Sequence, residues 1–216
     1  MKSISYIIII LLISYRTNGQ TVQEVIIPSY NDQYCDVIKK LESGQTDINY
    51  KEFRESFIES EQFRKASEQK KIYDSLEKEI YKEIKNKNYE AVITITKLML
   101  SIDYTSMKAH KFLQQTYKIT GDTVNYKKYH DIEFGLLNSI VKNGDGKTCS
   151  TAWPVIQISE EYFILDMIGA SLLAQSTNRK GGFCDKMDVM VDGGKKTYYF
   201  EITNVFKGYE KLLNKN

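Results

Sequence analysis

Apolar and polar positions follow two different periods along this chain, and the period changes near residue 143. In the front part the spacing is helical. Tyr50, Phe53 and Phe57 share one side of a segment that Asp47 is placed to cap, with Arg54 and Glu55 expected outside. Ile72, Leu76, Ile80 and Ile84 recur every four residues and line a second helix. A third, from Tyr89 to Leu100, is expected to bury Val92, Ile93, Leu98 and Met99. Thr105 or Ser106 starts a fourth, which carries Ala109, Leu113 and Tyr117 and stops at Gly121-Asp122. The fifth runs from Asn125 to about Lys142 with Tyr126, Tyr129, Leu136, Leu137, Ile140 and Val141 inward.

Behind the turn Asn143-Gly144-Asp145-Gly146 the reading changes. Ala152 to Ile158 is nearly all apolar and predicts a buried strand; Ser159 then caps a short helix from Glu160 to Ile168 that Gly169 closes. Residues 170–176 predict another strand. Met187, Val189 and Val191 alternate with Asp188, Met190 and Asp192 before Gly193-Gly194, and Tyr198, Phe200 and Ile202 share one face of the return strand, a hairpin pattern. Glycine usage agrees: residues 20–120 hold only Gly44, whereas ten glycines lie between Gly121 and Gly208, as turns require. The expected fold class is α+β, an N-terminal helical-hairpin bundle (47–142) followed by a small, mainly antiparallel sheet with one short helix (143–216). Residues 20–46 form an extension ahead of the bundle.

Residues 1–19 have the layout of a secretory signal peptide: Lys2, an unbroken apolar run from Ile7 to Ile13, then polar Thr17-Asn18-Gly19. That run is far shorter than the ~20 residues of a membrane span, and no later stretch approaches one. The chain is therefore expected to be exported, periplasmic or extracellular after cleavage, with no transmembrane segment in the mature part. Removing the leader removes Lys2 and Arg16 and no acid, so the net charge of +2 falls to zero. Acids and lysines interleave from Glu42 to Glu83, the pattern of a solvated helix face, and no nucleic-acid partner is expected. Of the three cysteines, Cys149 and Cys184 are paired in this reading because each precedes a predicted strand, although three unpaired thiols are an open alternative. Their distance from each other and from His110 and His130 speaks against a metal site, and no cofactor is implied.

Candidate chemistry is sparse. Gly144-Asp145-Gly146-Lys147-Thr148 resembles the end of a phosphate-binding loop, but Val141 stands where the first glycine belongs, and the loop follows a helix instead of opening one. Glu160 and Glu161 are neighbours on a helix, about a hundred degrees apart, and read better as caps on its positive end than as an acid/base pair. His130, beside Tyr129 and Asp131, is the histidine with the best claim to general-base chemistry. The candidate binding residues are thus His130, Asp145, Lys147, Thr148, Glu161 and Gln175; no catalytic residue is assigned.

The series Asn88-Tyr89-Glu90-Ala91, Ala109, Leu113, Tyr117 and Gly121-Asp122 resembles one helix of a tetratricopeptide repeat joined to the first helix of the next. Phe134-Gly135-Leu136-Leu137-Asn138-Ser139-Ile140, then Asn143 to Thr148, Thr151-Ala152, Val155-Ile156 and Glu160-Glu161-Tyr162 form a second pattern. Tyr50, Phe53, Arg54, Phe57, His110, Gln175, Asp185 and Tyr199-Phe200 extend it. This pattern resembles domain-of-unknown-function family 4919, exported proteins found mainly in Bacteroidota. The resemblance implies an exported, single architecture and no particular reaction. With sixteen tyrosines and no nucleophile or metal cluster, the expected function is non-enzymatic binding of a protein or glycan partner in the cell envelope. The rival is a hydrolase of cell-wall or polysaccharide material in which His130, Asp145 and Glu161 converge.

Overall fold

The computed structural model describes residues 24–179 and 182–214; the leader expected at 1–19 lies outside the described residues. Helices α1 (Gln33–Glu42), α2 (Tyr50–Glu59), α3 (Glu61–Glu68), α4 (Lys70–Lys85), α5 (Tyr89–Ile102), α6 (Met107–Thr120) and α7 (Thr123–Val141) come first. Then follow β1 (Trp153–Pro154), α8 (Ile158–Met167), β2 (Ser171–Asn178), β3 (Cys184–Val191), β4 (Gly194–Glu201) and α9 (Thr203–Leu213). The fold is α+β, helical in front and carrying a four-stranded sheet behind.

Side-chain caps fix most helix starts. Asn49 accepts from the Glu52 amide at 3.3 Å and so begins α2, a role expected of Asp47; Asn49 is the residue that directly precedes the first helical turn. Ser106 and Asp122 cap α6 and α7, and Gly121 between them is left-handed at φ 79°. Three helices were not foreseen. In α1, Tyr34, Cys35, Ile38 and Leu41 are buried, so part of the extension belongs to the core. Helix α3 is too short for its period to stand out, and α9 begins one residue after the expected strand position Ile202.

The expected α4 stripe buries only Ile80 and leaves Ile84 well exposed, because α4 is an outer helix packed mainly on α5. The apolar cluster runs without a break from Tyr34 and Phe53 through Leu136 and Ile140 to Val155, Met187, Val189 and Phe200. Both compositional halves therefore share one core. Glu42, at the end of α1, ties that helix to α7 and to the loop between α5 and α6: it accepts from the Tyr104 hydroxyl at 2.5 Å and the Tyr129 hydroxyl at 3.2 Å, and pairs with Lys128 at 2.9 Å.

The sheet order is β1-β4-β3-β2, with β1 parallel to β4 and the other pairs antiparallel. Asp192 (φ 52°) and Gly193 (φ 73°) form the two-residue loop of the β3–β4 hairpin; two successive positive φ values give the mirror-image turn whose twist suits flanking strands. Strand β1 is only two residues long, against the seven expected from Ala152 to Ile158. Side chains take over there: Arg54 donates to the Pro154 carbonyl at 3.1 Å, and Glu160 accepts from the Ile156 amide at 2.8 Å. Cys149 and Cys184 form a disulfide that holds the loop before β1 against the start of β3; Cys35 is a buried free thiol.

Candidate functional site

Helix α8 is built from ISEEYFILDM, in which two acids interrupt an otherwise apolar segment. It starts at Ile158 behind Gln157 with no side-chain cap, so Ser159 does not cap it. Both acids sit in the first helical turn, as expected of groups that complement its positive end, but they are also buried, at 4% exposure for Glu160 and 0% for Glu161. Their helical offset sends them to different neighbours. Glu160 meets Arg54 of α2 in a double hydrogen bond, Nε to Oε1 at 2.8 Å and Nη2 to Oε2 at 2.6 Å. Arg54 was expected outside its helix, yet it is 2% exposed and also reaches Ser139 of α7.

Glu161 faces Asp185 of β3, and neither of its carboxyl oxygens has a hydrogen-bond partner among the described residues. Burial, then Asp185, then Glu160 push its pKa up to about 8, so it carries a proton at neutral pH. Asp185 is held by two residues of β2: Gln175 donates from Nε2 at 2.9 Å, and Thr177 donates from Oγ1 at 2.8 Å. Tyr162, one residue beyond Glu161, donates its hydroxyl to the Gln175 Oε1 at 2.9 Å. A polar chain thus leads from Asp185 through Gln175 to Tyr162 at the surface.

That surface is the edge of the sheet. Every residue from Ser171 to Thr177 is exposed, on both faces of β2, and among the described residues β2 pairs only with β3. The strand SLLAQSTN carries no charge and no proline.

The other candidates lie elsewhere. His130 is on the outer side of α7 between Tyr126 and Phe134, with Nδ1 3.4 Å from Asp131. Asp145 is occupied within its own loop: its Oδ1 accepts from the Thr151 hydroxyl at 2.7 Å and the Lys147 amide at 3.0 Å, and its Oδ2 lies 3.4 Å from Lys147 Nζ. Thr148 caps the short 3-10 turn 149–151. The loop is docked by Trp153, whose indole donates to the Gly144 carbonyl at 2.9 Å. Glu161 and Gln175 are brought together through Asp185; His130, Asp145 and Glu161 share no hydrogen bond or ion pair.

Asp185 had a legible signal that residue pattern alone offered: it falls in phase with Met187, Val189 and Val191, a polar group on the apolar face of a strand. Arg54 had none, since a lone arginine on a helix is usually solvated.

With the geometry in place, comparison with known proteins gives one match. The profile of the family described as Domain of unknown function (DUF4919) covers residues 22–211. The chain belongs to this family. No curated protein matches it, and no solved structure does. The DUF4919 match spans both the helical bundle and the sheet, so Arg54, Glu160, Glu161 and Asp185 all lie inside the family domain. Among the described residues no group of three or more histidines, cysteines or acids is placed to hold a metal ion, and no helix is long and apolar enough to cross a membrane.

Proposed function

We propose that this DUF4919 protein is an exported, non-enzymatic binding protein of the cell envelope that takes an extended strand of a partner protein along the free edge of β2. The helical part serves as a scaffold of tetratricopeptide-like hairpins, and the sheet edge as the reading surface. The observation that carries this reading is the chemistry of β2: an edge exposed on both faces from Ser171 to Thr177, without the lysine or proline that usually blocks edge pairing, and with one register slip in its ladder between Leu172 and Ala174. Strand addition would continue the β3–β2 ladder, and Leu172, Gln175 and Tyr162 would meet the partner's alternate side chains. The partner segment is itself extended and uncharged where it faces β2.

The test is crosslinked capture from an envelope extract, followed by purification of the partner and a direct titration. Binding that slows hydrogen exchange of the residue 171–178 amides, and that Leu173→Lys with Ser176→Lys weakens at least about tenfold, supports the reading. Unchanged binding in the lysine variant sinks it. A partner-free, concentration-dependent doubling of mass through β2 replaces it with pairing between two copies.

A second reading, hydrolysis of cell-wall or polysaccharide material, is favoured by a different observation. Glu161 holds a proton beside Asp185, whose carboxylate is fixed by two hydrogen bonds, which is the pairing that acid/base chemistry uses. It requires turnover that disappears in both Glu161→Gln and Asp185→Asn.

A further inference from the structure

The geometry points to a binding groove for an uncharged oligosaccharide between α2 and α7, separate from the β2 edge. Helix α7 carries Tyr126, His130 and Phe134 at four-residue spacing, so the three rings stand in one row along its surface. His130 and Phe134 are parallel to within 1° at a centroid separation of 6.3 Å, and Tyr126 lies 5.8 Å from His130. Phe134, the member of the row that lines the groove, is 60% exposed, an apolar ring left in water at its mouth, while His130 and Tyr126 continue the row beyond it.

The floor of the groove is Tyr50. Its ring packs so closely on Gly135 that a Cβ there would clash with it, and its hydroxyl donates to the Thr46 carbonyl at 2.9 Å. A glycine inside a helix costs ~1 kcal/mol relative to alanine. Its place here is explained by the flat ring it admits. The groove is open along its length and encloses about 720 Å³, inside the ~300–1,000 Å³ typical of ligand clefts.

Its lining decides the ligand class. Asp47 and Asp131 are balanced by Lys51 and Lys142, so no polyanion is favoured. Asn138 and Asn143 add side chains that both donate and accept, the capacity that sugar hydroxyls need. An aromatic ring supplies an apolar platform for the C–H face of a pyranose. A peptide side chain would call for an enclosed apolar pocket; an open trough with mixed polar groups suits a sugar chain running through it.

The test uses the full chain and three probes: cellotetraose, mannotetraose and the tetramer of β-1,4-linked N-acetylglucosamine. Calorimetric titration is expected to show binding of at least one of them. Phe134→Ala should weaken it by about tenfold or more, with an unchanged melting temperature because the ring is largely in solvent, whereas Ile119→Ala, another exposed apolar residue, should leave it intact. Amide shift changes should cluster at residues 46–51 and 131–143. Failure of all three sugars to bind overturns the proposal, as does equal binding by Phe134→Ala or shift changes confined to 171–178. Neither result bears on strand addition at β2, which is read by partner titration.

Discussion

Arg54 and Glu160 form a bidentate ion pair buried at 3% and 4% side-chain exposure, joining α2 to α8 across 106 residues of sequence. Arg54 also binds the Pro154 carbonyl, and Glu160 the Ile156 amide, so one pair organises the passage from bundle to sheet. Removing either partner leaves the other charge buried without compensation. Arg54→Met is expected to lower stability by about 3–5 kcal/mol, and Arg54→Met with Glu160→Met to recover most of it. Urea unfolding midpoints of the wild type, the two single variants and the double variant measure this directly.

Glu161 gives stability an alkaline weakness. Its folded pKa, pushed up to about 8, lies above its ordinary value of 4.5. Between these two the unfolded chain releases a proton that the folded one keeps, so stability falls as pH rises from 4.5 towards 8. Glu161→Gln removes this dependence. The variant should gain most over the wild type near pH 8, about 3–5 kcal/mol by linkage, and little at pH 4; melting temperatures across that range decide it.

His110 acts in the opposite direction. It is fully buried, and burial lowers its pKa from 6.5 to about 4, while the Nε2 nitrogen donates to the Tyr104 carbonyl at 2.7 Å. The unfolded state binds more protons between pH 4 and 6.5, so stability from this residue is lost as pH falls through that window. Nitrogen NMR should find a neutral ring with its proton on Nε2 down to about pH 4. A histidine titrating near 6.5 would contradict the packing of Tyr104 and Tyr129 around it.

The Cys149–Cys184 bond closes a loop of 35 residues that contains β1, α8 and β2. Cys149→Ser with Cys184→Ser is expected to cost about 3–4 kcal/mol through the entropy of the unfolded chain. The unreduced wild type should then show one thiol, Cys35, reacting only after unfolding because the native side chain is buried. Thiol titration with and without denaturant counts it.

Local patterns were legible where period and capping agreed. Helices α5, α6 and α7 begin within two residues of the expected starts, since Asn88, Ser106 and Asp122 each accept from an amide three residues on. The β3–β4 hairpin follows from alternation and its turn. The misses have physical causes, near and far in sequence. The apolar run at 152–158 promised a full strand, but Pro154 has no amide to pair, and Arg54 and Glu160 claim the neighbouring backbone groups.

The candidate site was only half legible. Glu161 and Gln175 are both candidates from sequence, but for reasons that do not connect them; Asp185, which lies between them, enters only through a family resemblance. His130 was marked for proton transfer, whereas its position in an exposed ring row gives it a place beside a groove.

What the sequence by itself determined is the α+β class, the presence of the β3–β4 hairpin and the starts of α5, α6 and α7, because these depend on residues a few positions apart; the hairpin loop itself is Asp192-Gly193, one residue before the expected Gly193-Gly194. Tertiary structure alone decided which charges are buried and which edge is free. Arg54 reads as a surface residue until α8 places Glu160 against it, and β2 reads as an ordinary strand until the sheet order leaves it outermost. Those outcomes depend on groups far apart in the chain, whose desolvation and pairing no local period encodes.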